Sequence, residues 1–301
     1  MTPSAPLRVV RSLLLGIATA LALLAALEGA SRAIGWPDPG IYTGDPAGLW
    51  ALRPNLRARP VRFEERGTTF AVRTNRLGWR DAEPEPEGLL CLGDSTTFGW
   101  GVEEDEAWPA RLEARLGMPV HNAGVPGFST HQGRQALQAA LAVRPRAVLL
   151  AYLVRDAQAA AIPDAARPAS TAPPDLQLLH LLRSIRPRPA AAAGGPTTRV
   201  PPEAYEANLL AMIAAVRAAG ALPLLLAFPM RTPATAHLAV LRGLDGRADG
   251  APLLEPAMPP GSWFEEDPIH LTPNGNAHLA EQLVVELPSR VAPRSQQLLP
   301  R

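Results

Sequence analysis

The sequence has no lysine and only one cysteine, Cys91, in 301 residues. A single cysteine excludes an intrachain disulfide framework and a cysteine-based metal site. Arginine supplies all of the 29 basic side chains, which nearly balance 28 acidic ones. Because the formal net charge is only +1, no global field favours binding to nucleic acid or to an anionic surface. We expect no nucleic-acid partner.

Clustered metal ligands are also lacking. The six histidines show no ligand-like spacing, and no acidic cluster surrounds them. The sequence therefore predicts neither a metal site nor a metal-dependent hydrolase, and we expect no cofactor. An apolar fraction of 47% is ordinary for a chain of this length with a folded core.

An uncharged apolar run, LLLGIATALALLAAL, occupies residues 13–27. It is short for a membrane-spanning helix but long for the core of a signal peptide, so residues 1–33 are either an uncleaved signal anchor or a signal peptide. We favour the anchor. Arg8 and Arg11 precede the run, and the positive-inside rule retains such residues in the cytoplasm. The rest of the chain is then expected in the periplasm or at the cell surface, or secreted if the segment is cleaved.

Residues 34–87 are predicted to form a linker and a small β-hairpin. The first part is rich in proline and glycine, and two short alternating runs then flank Gly67. After this extension, apolar runs typical of buried strands alternate with helical patterns. The runs are GLLCLG, PVHNAG, RAVLLAYL and ALPLLLAF, and the helical patterns are WPARLEARLG, HQGRQALQAALAV and PEAYEANLLAMIAAVRAAG. Such alternation predicts an α/β fold, in which a parallel sheet has helices on both faces.

We place this main domain at residues 88–290, followed by a tail at residues 291–301. An Ala- and Pro-rich stretch at about 157–200 interrupts the alternation and contains one helical candidate, DLQLLHLLRSI. This insertion is either a lid over a site or surface padding.

Ser95 follows Gly93 and Asp94 directly at the carboxyl end of the first predicted buried strand, in GLLCLGDSTTFG. Ligands bind in the crevice outside the carboxyl ends of parallel strands, which makes Ser95 a candidate nucleophile. A helix N-cap is the plain alternative for a serine at this point. A nucleophilic hydroxyl needs a base, a group that orients the base, and donors for the oxyanion.

A candidate base and orienting acid stand near the C-terminus, where Asp267 and His270 lie three residues apart in DPIHLTPNG. Thr272 is the predicted N-cap and Pro273 the first residue of a helix that runs to about Leu287. Asp267 and His270 therefore lie on the preceding loop, where both side chains can point toward one place.

The segments LCLGDSTTFG, NAGVPGFST and DPIHLTPNG, in this order, resemble the SGNH, or GDSL-type, hydrolase family over residues 88–287. RTNRLGWRD, which follows the apolar N-terminal run, resembles the membrane-anchored bacterial branch of that family. The resemblance implies a flavodoxin-like three-layer α/β/α sandwich with a mostly parallel sheet.

The same resemblance implies roles for individual residues. Ser95 would be the nucleophile, His270 the general base and later acid, and Asp267 the group that orients His270. The oxyanion would be held by the backbone N–H of Ser95 and by that of Gly127, for which Gly124 is the competing candidate. Gly127 could also be a simple turn glycine.

The third family motif, Gly-x-Asn-Asp, is altered. Leu153 stands for its glycine and Arg155 for its asparagine, while Asp156 is retained. Losing one oxyanion-hole donor typically costs roughly 10² to 10³ in turnover. Arg155 could replace the asparagine as a donor, bind an anionic part of the substrate, or pair with Asp156 or solvent.

The resemblance implies a serine-dependent ester hydrolase or O-acyl transferase that acts through an acyl-serine intermediate, and the N-terminal segment implies that it acts outside the cytoplasm. Its ester substrate would be an acylated glycan or a lipid ester. The alternative is a catalytically weak or inactive relative that binds a glycan or a partner protein. Arg155 favours this alternative, whereas the joint presence of Ser95, Asp267 and His270 argues against it. The sequence leaves the oligomeric state open.

Overall fold

The structure is a computed structural model that describes residues 5–34, 40–44, 50–167, 176, 195–287 and 291. The chain divides into two units, one made of Met1–Tyr42 with Pro173–Ala191 and the other of Thr43–Ala172 with Ala192–Arg301.

In the first unit, helix α1 spans Ala5–Ile34. Within its stretch Val9–Ile34, an 18-residue window reaches a mean hydropathy of 2.1. A helix of 30 residues rises about 45 Å, which exceeds the roughly 30 Å hydrocarbon thickness of a bilayer. Length and composition alone would let it cross a membrane, and a signal sequence meets the same two criteria.

Strand β1, Tyr42–Thr43, lies at the boundary between the units. The elements of the second unit follow in chain order: β2 (Ala51–Leu52), β3 (Arg59–Phe63), β4 (Thr68–Val72), β5 (Leu89–Gly93), α2 (Ser95–Phe98), α3 (Trp108–Leu116), β6 (Val120–Asn122), α4 (Thr130–Leu141), β7 (Ala147–Ala151), β8 (Ala159–Ala160), β9 (Thr197–Thr198), α5 (Pro202–Ala218), β10 (Leu222–Leu226), α6 (Thr235–Leu244), β11 (Leu253–Leu254) and α7 (Pro273–Glu286).

The central sheet has five parallel strands in the order β6–β5–β7–β10–β11. Counted along the chain within the sheet, this is the order 2-1-3-4-5 of flavodoxin-like folds. Both predictions, a parallel sheet and a flavodoxin-like order, are confirmed. The carboxyl ends of the strands share one edge, so the loops after β5, β6 and β7 meet there.

Helices cover both faces of this sheet. Side chains of α4, α5 and α6 pack with Leu90, Leu92 and Leu150 on one face. Side chains of α3 and α7 pack with Leu89 and Leu149 on the other. Alternate residues of β5 and β7 thus point to opposite faces and both are buried, which explains why these strands read as continuous apolar runs.

Among the strands of the central sheet and the helices that cover it, the sequence patterns did not predict β11 and α6. The predicted helix over PEAYEANLLAMIAAVRAAG ends at Ala218, and Gly220 beyond it has a φ of 79°. Before the sheet, β3 and β4 form an antiparallel hairpin around Gly67.

Most of the 157–200 insertion, including DLQLLHLLRSI apart from Leu176, lies outside the described residues, as do residues 292–301. At the base of the insertion, β8 pairs antiparallel with β9.

Candidate active site

Ser95 is the first residue of the short helix α2, directly after β5. The N-cap of this helix is Asp94, whose carboxylate accepts hydrogen bonds from the N–H and the hydroxyl of Thr96 over 2.8 and 2.7 Å. The plain alternative, that Ser95 serves as the N-cap, is therefore wrong. Because Asp94 fills that role, the Ser95 hydroxyl is available for another partner.

That partner is His270, although 175 residues separate the two in sequence. Ser95 Oγ lies 2.8 Å from His270 Nε2, and His270 Nδ1 lies 2.5 Å from Asp267 Oδ2. An ionised carboxylate only accepts, so the imidazole donates from Nδ1 and leaves Nε2 to accept the Ser95 proton. All three residues are buried.

The two carboxylate oxygens of Asp267 have different partners. Oδ2 contacts the imidazole, while Oδ1 accepts from the backbone N–H groups of Ile269 and His270 over 2.8 and 3.1 Å. Burial alone would raise the pKa of Asp267, but the hydrogen bond and charge of His270 and the two N–H donors outweigh it and lower the pKa to about 2. Asp267 is thus ionised across the physiological range.

The Asp267–His270 loop is fixed by the start of α7. The Thr272 side chain accepts from Gly275 N–H as the predicted N-cap. Asn276 donates from Nδ2 to the carbonyls of Leu271 and Thr272 and accepts from the N–H of Trp108 at the start of α3. Sequence reasoning did not single out Asn276, although it lies within the same PNGNAH stretch.

Gly127 and Gly124 differ in how their backbone N–H groups are used. Gly124 donates to Asn122 Oδ1 over 3.2 Å, and a Cβ there would come within 2.4 Å of Phe98 N. Gly127 has a φ of 87°, which favours glycine, and no acceptor among the described residues bonds its N–H. Nor does any described acceptor bond the Ser95 N–H, as expected for the first residue of a helix. Within the described part of the chain, the N–H groups of Ser95 and Gly127 thus have no acceptor, whereas that of Gly124 has one.

The sequence model of the GDSL-like Lipase/Acylhydrolase family matches residues 91–278. The chain belongs to this family. The matched segment contains Ser95, Gly127, Arg155, Asp267 and His270. A search of curated proteins gave no significant match.

Several solved structures are similar to this GDSL-like chain. A lipolytic-type protein of the G-D-S-L family from Desulfitobacterium hafniense DCB-2 has 15% identity and a TM-score of 0.47, covering 66% of this chain and 99% of that one. TesA has 21% identity and a TM-score of 0.48, covering 68% of this chain and 99% of that one. The psychrotrophic esterase EstA from Pseudoalteromonas sp., inhibited by monoethylphosphonate, has 16% identity and a TM-score of 0.44, with 66% and 96% covered.

In the altered third motif of this GDSL-like chain, the side chains of the adjacent residues Arg155 and Asp156 have different partners. The Asp156 carboxylate is buried, and its Oδ1 accepts from the N–H and hydroxyl of Thr130 over 2.9 and 2.5 Å. Arg155 instead donates from Nη1 to Gln158 Oε1 over 3.3 Å. The reading in which Arg155 pairs with Asp156 is therefore wrong, because the carboxylate is turned into the interior.

Sequence reasoning missed Arg199 and Asp164. The Arg199 guanidinium donates from Nη1 to the Gly127 carbonyl over 2.8 Å and binds both oxygens of Asp164. Asp164 also accepts from Ser129 Oγ and Gln132 Nε2 at the start of α4. Burial would raise the pKa of Asp164, but these donors outweigh it and lower the pKa. No local pattern marks these residues, because their partners are distant in sequence.

Phe63 and Arg80 connect the N-terminal extension to the site. Phe63 at the end of β3 meets the His270 ring edge-on, with centroids 6.3 Å apart. Arg80 donates to the carbonyls of Phe98 and Gly99, which end the helix that carries Ser95. Arg80 lies in RTNRLGWRD. The motif therefore marked this segment, but it did not indicate that Arg80 would bond the end of α2. Among the described residues, no group of three or more His, Cys, Asp or Glu side chains could hold a metal ion.

Proposed function

We propose that this acylhydrolase-family protein is a serine esterase that acts through an acyl-Ser95 intermediate, with His270 as the acid and base and Asp267 as its orienting carboxylate. The observation that carries the proposal is the continuous chain of contacts from Ser95 Oγ to His270 Nε2 and from His270 Nδ1 to Asp267. A hydroxyl hydrogen-bonded to an imidazole that a carboxylate orients is the arrangement that nucleophilic acyl transfer requires.

In the first half-reaction, Ser95 Oγ attacks the ester carbonyl carbon while its proton passes to His270 Nε2. The resulting oxyanion is held by the N–H groups of Ser95 and Gly127, which have no acceptor among the described residues. The proton on Nε2 then moves to the leaving alkoxide, the carbon–oxygen bond breaks, and the alcohol departs. Ionised Asp267 stabilises the imidazolium that exists between these two transfers.

In the second half-reaction, a hydroxyl group gives its proton to His270 Nε2 and attacks the acyl carbon, which releases Ser95. Water yields a free acid, whereas an acceptor alcohol yields a new ester. Hydrolysis and O-acyl transfer therefore share every residue of the site and differ only in the acceptor.

We further propose that the reaction occurs outside the cytoplasm, with α1 as an uncleaved anchor. The length and hydropathy of α1, and the position of Arg8 and Arg11 before its apolar run at residues 13–27, support this proposal. Acylated glycans and lipid esters are the ester substrates that such a location would offer.

The test is labelling of the full chain, purified in detergent, with a fluorophosphonate, followed by mass spectrometry of the modified peptide. We expect the label on Ser95 and its loss in His270→Ala, with Asp249→Asn, a change at an exposed surface ion pair, as a control that labels normally. A folded wild-type protein that takes no label would contradict the proposal and favour the alternative of a glycan- or partner-binding protein, which the missing third-motif asparagine supports.

A further inference from the structure

A cavity of about 350 Å³ adjoins the loop that carries Asp267 and His270. Pro268 and Ile269, the two residues between them, form one of its walls. Residues after β7 and β10 form the others, so the cavity lies at the carboxyl edge of the sheet, where Ser95 also lies. Its volume falls within the roughly 300 to 1,000 Å³ of small-molecule sites.

The lining of this cavity is mostly apolar, with one cation. Val154, Ala157, Met230 and Ile269 supply apolar surface, and Arg155 is the charged residue that lines it. The neighbouring Arg231 is turned away, since its guanidinium donates to backbone carbonyls of the Phe264–Glu265 segment.

Arg155 has no counterion among the described residues. Its hydrogen bond goes to the neutral Gln158 amide, its Nε is shielded from water without a partner, and the adjacent Asp156 is bound to Thr130. By contrast, Arg199 at the base of the insertion is fully paired with Asp164. Arg155 therefore presents an uncompensated positive charge to a cavity whose described lining residues include no carboxylate.

Such a site selects its ligand by charge. A guanidinium offers a planar fork of N–H donors that matches a carboxylate or phosphate, and apolar surroundings strengthen the attraction. The apolar walls suit the hydrocarbon part of the same ligand. We propose that this cavity binds an anionic group of the substrate through Arg155, so that the enzyme prefers esters that carry a carboxylate or a phosphate a few bonds from the scissile carbonyl. The inference rests on the proposed esterase function, which makes the bound ester a substrate. Binding of the anionic group does not itself require turnover.

The test measures binding in the full chain with Ser95→Ala, in matched detergent buffer, so that no ester is consumed. Three methyl esters of similar length serve as probes: monomethyl glutarate, its uncharged analogue methyl 4-carbamoylbutanoate, and methyl 4-phosphonobutanoate. We expect the carboxylate or the phosphonate to bind about 10- to 100-fold more tightly than the amide, as for a charge-assisted hydrogen bond. The tighter of the two anions shows whether the site favours a carboxylate or a phosphate-like group.

Adding Arg155→Gln should remove this preference, Arg155→Lys should retain part of it, and Arg76→Gln, at an exposed ion pair with Glu83, should leave it intact. Equal or undetectable binding of all three probes, or a preference that survives Arg155→Gln, would overturn the inference. Because fluorophosphonate labelling of Ser95 is read separately, failure of the esterase proposal remains distinguishable from failure of this one.

A kinetic comparison addresses the rival reading of Arg155 as the oxyanion donor. The two substrates are the 4-nitrophenyl esters of glutarate, which is charged, and of glutaramate, which is not. If Arg155 binds the anion, Arg155→Gln should raise KM for the glutarate ester alone. An equal drop of kcat for both esters in Arg155→Gln would instead assign Arg155 to the oxyanion and overturn the inference.

Discussion

The guanidinium of Arg199 donates a hydrogen bond from Nη1 to the carbonyl oxygen of Gly127 over 2.8 Å. Gly127 supplies both this carbonyl and the N–H proposed to hold the oxyanion. Holding the carbonyl in place therefore restricts the orientation of the N–H. Arg199 is in turn held by Asp164, whose carboxylate also binds Ser129 and Gln132 in α4. The base of the insertion thereby positions the proposed oxyanion loop.

Replacing Arg199 should therefore impair catalysis through Gly127. In Arg199→Gln we expect kcat for a short-chain 4-nitrophenyl ester to fall about tenfold or more with little change in KM, because misplacing one donor weakens oxyanion binding. Arg199→Lys should recover part of the loss, and Arg242→Gln, at an exposed ion pair, should behave as wild type.

A fold defect must be separated from this effect, since Arg199→Gln leaves the buried Asp164 without its cation. The double variant Arg199→Gln/Asp164→Asn removes both charges. If that folded double variant keeps the wild-type kcat, Arg199 does not position the oxyanion loop.

Asp267→Asn should lower kcat by roughly 10³ to 10⁴, because an amide in place of the carboxylate favours the wrong imidazole tautomer and no longer stabilises the imidazolium. Steady-state ester hydrolysis measures the change, with Asp249→Asn as the exposed control. Activity within tenfold of wild type would show that His270 does not depend on Asp267.

Local patterns predicted the elements whose signal lies within their own few consecutive residues. The runs that became β5, β7 and β10 are continuous because both of their faces are buried, and Thr272 followed by Pro273 is a local N-cap signal. Strand β11, of two residues, is too short to show any period.

The residues that sequence reasoning missed act over long separations. Arg199 reaches Gly127 across 72 residues, and Asn276 reaches Trp108 across 168. In an arginine-rich chain no pattern distinguishes Arg199 from an exposed arginine. The sequence left the role of Ser95 open between nucleophile and N-cap for a related reason: Asp94 and Ser95 are both good caps, and only the Asp94–Thr96 hydrogen bonds decide between them.

Arg80 should be essential for stability. Its buried guanidinium donates to four carbonyls, those of Ala71, Phe98, Gly99 and Val102, and so joins β4 to the end of the helix that carries Ser95. Arg80→Met keeps the apolar stem but leaves these acceptors unpaired, and each buried unpaired acceptor costs about 1 to 3 kcal/mol.

We expect a loss of at least about 3 kcal/mol in unfolding free energy, seen in thermal or denaturant unfolding of the full chain. Arg76→Met, in the same motif but exposed, is the matched control and should change stability little. Equal stability of the two variants would mean that the Arg80 contacts do not hold this segment.

Asp156 should make stability depend on pH in the direction opposite to Asp267. Burial raises the pKa of Asp156 to about 7, against the opposing effect of its Thr130 hydrogen bonds, and its Oδ2 has no hydrogen-bond partner among the described residues. Between the unfolded pKa near 4 and this value the native state retains a proton that the unfolded state has lost, so stability falls as pH rises through that window.

Asp156→Asn can keep the Thr130 contacts through its carbonyl oxygen and does not titrate. We therefore expect the variant to gain roughly 2 to 4 kcal/mol relative to wild type between pH 4 and pH 8, measured as the difference of their unfolding free energies at each pH. The same difference for exposed Asp249→Asn should show no such gain, and a pH-independent difference for Asp156→Asn would mean that this buried carboxyl is not protonated in the native state.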